Sequence, residues 1–172
     1  MCIRDSGDLH HDTLTCIYNL ADTHVQMGNP RLALPLAEEC LRGRRQTMGE
    51  EHERTLVAMS TLSDVHRDMG KYDEALPLAR RALEAQRRTL GNEHEQTQVS
   101  INRVAVILYR MGDKEAALSL YEEGLALDRR LLGNEHQETL MSISNVGIVR
   151  CTMKRYGEGL PLLREAVAGR RK

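Results

Sequence analysis

The 172-residue sequence has no tryptophan or phenylalanine and only five tyrosines. Its core must therefore be aliphatic, and it lacks the aromatic platforms on which nucleic-acid bases stack. The four cysteines, Cys2, Cys16, Cys40 and Cys151, show no paired spacing and no Cys-x-x-Cys. That excludes a disulfide framework and fits a reducing, cytoplasmic setting. Net charge is equally scant: 24 Lys+Arg against 25 Asp+Glu leaves −1, which argues against nucleic acid or a membrane surface as partners gathered by bulk charge. The longest apolar stretch near a helix centre, Val104 to Leu108, falls far short of the roughly 20 residues that span a bilayer. No secretory signal core is present either.

What is present is repetition. Gly-x-x-His-x-x-Thr occurs at Gly7/His10/Thr13, Gly49/His52/Thr55, Gly91/His94/Thr97 and Gly133/His136/Thr139, a period of 42 residues. A period of this size marks stacked units, each burying its apolar side against its neighbours and leaving an open surface. The copies divide as 7–48, 49–90, 91–132 and 133–172, one repeat domain over 7–172. Met1–Ser6 reads as the translation of a transposon-end sequencing adapter and is set apart as a non-native leader. The chain then reads as a piece of a longer protein, and the absence of a polar capping helix after Lys172 fits that expectation.

Within each copy the apolar residues follow helical spacing twice. A first helix carries Ile17, Leu20, Ala21 and His24, then Met59, Leu62, Ser63 and His66, then Ile101, Val104, Ala105 and Leu108, then Ile143, Val146 and Gly147. Thr13, Thr55, Thr97 and Thr139 are expected to cap its start. Met-Gly at 27/28, 69/70 and 111/112 should close it through a left-handed glycine, a role that Met153-Lys154 fills less comfortably in the last copy. A second helix carries Ala33, Leu36, Cys40 and Leu41, with counterparts that end at Gly159, Leu162, Ala166 and Val167. Small residues at fixed places let the helices approach, and each buried leucine adds roughly 2 kcal/mol. Pro35, Pro77 and Pro161 fall inside this second helix and should bend it. The pairs Arg44/Arg45, Arg87/Arg88 and Arg129/Arg130 read as solvated caps at helix ends.

Two antiparallel helices per unit, with small residues at the eighth, twentieth and twenty-seventh sites of a 34-residue core, resemble a tetratricopeptide repeat. The phrases Leu90-Gly91-Asn92-Glu93-His94, Lys71-Tyr72-Asp73-Glu74-Ala75-Leu76-Pro77-Leu78 and Asn19-Leu20-Ala21 are similar, more narrowly, to the kinesin-light-chain type. The resemblance implies an all-α solenoid, a right-handed superhelix of stacked antiparallel helix pairs whose first helices line a concave groove. It departs from the family where Pro would follow the repeated histidine: here stand His11, Glu53, Glu95 and Gln137.

A polar stripe runs along the first helices: Asn19, Asp22 and Gln26; Thr61, Asp64 and Asp68; Arg103, Val106 and Arg110; Asn145, Ile148 and Thr152. Tyr18, Ser60, Asn102, Tyr109 and Ser144 flank it. The resemblance implies that the asparagine of the Asn-Leu-Ala phrase, matched by Asn19 and Asn145 only, with Thr61 and Arg103 in the other copies, helps hold a bound peptide. The expected binding set is Asn19, Asp22, Gln26, Thr61, Asp64, Asp68, Asn102, Arg103, Arg110 and Asn145, acidic in the first two copies and basic in the last two. Amides and hydroxyls would hold the peptide backbone, and Arg103 and Arg110 an acidic group. Kinesin light chains favour tryptophan amid acids, which Asp22, Asp64 and Asp68 would repel.

Catalysis is not expected. The ladder His10, His52, His94 and His136 places one histidine per repeat, farther apart than the reach of a single zinc ion. No phosphate loop or nucleophile elbow occurs, and adjacent acids such as Glu38/Glu39 point apart on a helix. No cofactor is implied. The sequence therefore reads as a protein-interaction scaffold. A regulatory array of a larger NTPase or protease, with its catalytic domain elsewhere, is the alternative, and end-to-end self-association through uncapped repeats a third.

Overall fold

A computed structural model describes residues 11–171, the side chain of His11 excepted. The leader Met1–Ser6, Cys2 and the first Gly7/His10 pair lie outside the described residues. Among the described residues there are eight helices and no strand. They are α1 (His11–Gln26), α2 (Pro30–Met48), α3 (Glu53–Asp68), α4 (Tyr72–Leu90), α5 (Glu95–Met111), α6 (Lys114–Leu132), α7 (Gln137–Thr152) and α8 (Tyr156–Arg170). The described residues fall into two compact units divided between Thr89 and Leu90, the first built on α1 to α4 and the second on α5 to α8.

The repeated histidine, not the threonine, starts the first helix of a pair. His52, His94 and His136 take an extended backbone, and each Nδ1 accepts from the amide two residues on, at 3.2 Å from Arg54, 3.3 Å from Gln96 and 3.3 Å from Glu138. A ring nitrogen thus satisfies an amide that the helix leaves unpaired. The threonines expected to cap lie one turn inside: Thr55, Thr97 and Thr139 are fully buried, and their hydroxyls have no hydrogen-bond partner. Each helix before the histidine stops at a glycine, with φ 87° and ψ 170° at Gly49 and φ 85° and ψ 169° at Gly133, a region essentially closed to other residues.

Between the helices of a pair, Gly28, Gly70 and Gly112 are left-handed as expected, and Lys154 takes the same conformation at φ 64°. The turn closes alike in all four copies. Amides of Asn29, Lys71, Asp113 and Arg155 donate to the carbonyls of His24, His66, Leu108 and Arg150 at 2.8–3.0 Å. The helices containing Pro35, Pro77 and Pro161 run on without a break.

Small residues meet where the helices of a pair cross. Ala21, Ala33, Ala75, Ala105 and Ala117 are buried, and Ser63 donates its hydroxyl to the Ala75 carbonyl at 2.9 Å. The α7–α8 crossing is tighter. A methyl on Gly159 would stand 2.5 Å from Cys151 Sγ and 2.8 Å from the Gly147 carbonyl, and one on Gly147 would stand 2.9 Å from Leu163. Two residues expected in the core are half exposed instead, Leu20 at 49% and Val167 at 50%. Their counterparts Leu62 and Leu125 are buried by the adjoining pair, whereas no described helix covers α1 or α8 on that side.

Candidate functional site

The expected stripe is best described unit by unit. On α1, Asn19 and Gln26 are exposed and Asp22 half-buried, and the Gln26 amide donates to Asp22 at 2.7 Å. On α3, Arg67 bonds both aspartates, at 2.6 Å to Asp64 and 2.9 Å to Asp68. The acidic character read from these residues is thus partly neutralised by an arginine between them. Thr61 is buried, with its hydroxyl donated to the Val57 carbonyl at 3.2 Å, so it is not offered to a ligand. In the second unit Asn102 and Arg110 are exposed and Asn145 half-buried. Arg103 is half-buried, its guanidinium 3.3 Å from the Ser100 hydroxyl.

The arginines near the ends of second helices do not behave alike. Arg45 pairs with Glu50, Arg88 with Glu51, Arg129 with Glu165 and Arg130 with Glu93, surface bridges worth about 0–1 kcal/mol each. Arg44 is different. It is 4% exposed, donates to the Arg54 carbonyl at 2.7 Å, and lies 4.7 Å above the Tyr18 ring. The solvated cap expected there is an internal plug: guanidinium and phenol fill the space between α1, α2 and the start of α3.

The equivalent place in the second unit is open. A cavity of about 530 Å³ lies among α5, α6 and α7, within the ~300–1,000 Å³ usual for ligand pockets. Asn145 of the stripe and Asn102, which flanks it, both line it; Arg103 and Arg110 do not. Asp128 lines it 8% exposed, accepting from the Ser142 hydroxyl at 2.5 Å. Tyr121 lines it too, nine-tenths buried. Burial first, then the Tyr109 phenol, pushes the Tyr121 hydroxyl up to about 12 against the pull of Arg110, so it stays protonated as donor and acceptor. A broader hollow of about 830 Å³ beside residues 90–93 holds none of the expected binding residues, and its Arg130 and Glu93 are already paired at 2.6 Å.

Asp128 and Tyr121 were missed in the sequence. For Asp128 the signal was available: 84 residues separate Tyr18 from Asn102 and Arg44 from Asp128, two full periods, so the plug residues change type together, and Tyr121 stands two periods after Ala37. His24 and His66, expected to be half-buried packing residues, are half-buried, and their Nδ1 atoms have no hydrogen-bond partner. Burial lowers the His66 pKa, opposed by Glu74. Cys16, Cys40 and Cys151 are free thiols, and burial raises that of Cys40.

Comparison with known proteins agrees with this architecture. The tetratricopeptide repeat family model matches residues 13–88, 54–130 and 96–172. No curated protein sequence matches. Among solved structures, the nearly identical repeats of a putative kinesin light chain from Podosopora anserina superpose with a TM-score of 0.83 at 25% identity, over 92% of this chain and 75% of that one. BtubC (BKLC) from P. vanneervenii gives 0.85 at 18% identity, over 98% and 66%. A Rap protein complexed with competence and sporulation factor gives 0.76 at 13%, over 92% and 42%; these last two likenesses concern the fold alone. Among the described residues, no helix is long and apolar enough to cross a membrane. With helix pairs, turn glycines and small-residue crossings recurring through both units, the chain belongs to the tetratricopeptide repeat family, in a form similar to the repeats of kinesin light chains.

Proposed function

We propose that the chain is a non-catalytic interaction module that binds a peptide segment of a partner protein along the first helices of its units. The observation that carries this reading is the pairing of Asn102 and Asn145 at one cavity in the second unit. Asparagine amides offer both a donor and an acceptor, which is what an extended peptide backbone needs. The Rap protein solved with competence and sporulation factor lends the same fold a precedent for holding another molecule. Exposed Arg110 supplies a cation for an acidic side chain or carboxylate of the ligand. Asn19, Asp22, Gln26, Asp64 and Asp68 serve as polar contacts of the first unit. Thr61 drops out of the set, and half-buried Arg103 stays in it.

The test is a peptide-display selection against the 172-residue chain, followed by binding to an Asn102→Ala/Asn145→Ala variant and to Arg110→Glu. A loss of tenfold or more in affinity is expected for the double alanine variant. An empty selection, or affinity unchanged in both variants, would defeat the proposal.

A further inference from the structure

Resting on that reading, we propose that the cavity of the second unit seats an arginine side chain of the partner peptide, its guanidinium held by Asp128. The first unit already contains the arrangement. There the chain's own Arg44 stacks on Tyr18 and bonds the Arg54 carbonyl, closing the space that the repeat backbone encloses. Two periods later, the same backbone carries Asn102 for tyrosine and Asp128 for arginine. Gly124 replaces Cys40, and a methyl added there would come no nearer than 4.0 Å to Ile101. The tyrosine and arginine that filled the space have gone; Tyr121 enters where the first unit has Ala37, and about 530 Å³ remains open beside its ring.

Charge has inverted as well. Where the first unit has Arg44 and Arg54, the second has Asp128 and Glu138. Glu95 and Glu93 also line the cavity, Glu93 being paired to Arg130, and no lysine or arginine side chain lines it. Acidity alone would attract any cation, but the walls narrow the choice. Val99, Leu131, Leu132 and Met141 line the cavity and are 42–51% exposed, a setting for the apolar stem of a long basic residue. Tyr121 offers a buried ring, and a planar guanidinium, unlike an ammonium, both stacks on a ring and meets a carboxylate edge-on. A lysine is therefore the poorer occupant.

The probe is acetyl-Leu-Arg-Leu-amide, with acetyl-Leu-citrulline-Leu-amide as its uncharged near-isostere, titrated into the 15N-labelled 172-residue chain. The arginine peptide is expected to shift the amides of Gly124, Ser142 and Asn145 and to bind at least tenfold more tightly than the citrulline peptide. Asp128→Asn retains an acceptor for Ser142, and should bring the two peptides within twofold of each other. Asn102→Tyr and Asp128→Arg together with Tyr121→Ala, the counterpart of Ala37, copy the filling of the first unit, so this variant should fold and bind neither. Equal binding of both peptides to the unaltered chain, or undiminished binding to the filled variant, overturns the arginine seat. Display-selected peptides indifferent to the filled variant overturn it too, while leaving the interaction reading in place; that reading fails separately, through an empty selection.

Discussion

Gly159 and Gly124 both lie within second helices, and the same substitution should act on them in opposite directions. Alanine in a helix interior is favoured over glycine by roughly 0.8–1 kcal/mol, so with nothing nearer than Ile101 at 4.0 Å, Gly124→Ala should stabilise by about that amount. At Gly159 the new methyl meets Cys151 Sγ at 2.5 Å and the Gly147 carbonyl at 2.8 Å. The thiol can rotate away. The carbonyl belongs to the α7 backbone and yields only if the helices part. Overpacking of this kind costs about 1–3 kcal/mol, and a backbone clash belongs in the upper half of that range. After the helix-propensity gain, Gly159→Ala should lose about 1–2 kcal/mol. Removing the thiol as well, in Gly159→Ala/Cys151→Ala, should restore only part of it, because the carbonyl remains. Urea unfolding followed by circular dichroism at 222 nm reads the midpoint, and hydrogen exchange localises the loss to α7 and α8. A midpoint for Gly159→Ala at or above that of the parent chain would refute the claim that a glycine-only contact sets this crossing.

Two further perturbations probe other parts of the units. Because burial lowers the His66 pKa, the unfolded chain takes up this proton first as pH falls below about 6.5. Stability should therefore be lost as pH drops from that value toward the lower folded one. In His66→Leu, which copies Leu108 at the equivalent site, the acid-side decline of melting temperature should be shallower; an identical slope would contradict the assignment. Replacing Arg44 by glutamine, its counterpart at Gln86, removes the stacking on Tyr18 and the bond to the Arg54 carbonyl. A loss of about 1–2 kcal/mol is expected, read as faster hydrogen exchange in α1 to α3, and unchanged exchange would show the plug to be incidental.

The period made most of the fold legible. Helix pairs, left-handed turn glycines and small crossing residues repeat at one spacing, and a fixed spacing on a helix is a fixed direction. Direction is not proximity, however. Tyr18 and Arg44 lie on different helices, 26 residues apart, and a helical wheel does not say that one covers the other. Arg67 was overlooked between Asp64 and Asp68 because it lies off the stripe, although its side chain is long enough to reach back to it. The capping error has a similar origin. Threonine is a common cap and histidine an uncommon one, so residue preference pointed to Thr55, whereas the exit from Gly49 begins the helix three residues earlier. Leu20 and Val167 look like core by type, yet burial depends on a neighbouring pair that the described residues do not supply on those sides.

The conformations at Gly49 and Gly133 exclude side chains, so the link from one helix pair to the next inside each unit turns on main chain at that point. The faces they separate are specified by other residues altogether. A lineage could thus exchange an aromatic for an amide, or a cation for an anion, inside one compartment while the glycine link beside it stays as it is. Link and contents are free to evolve on separate schedules.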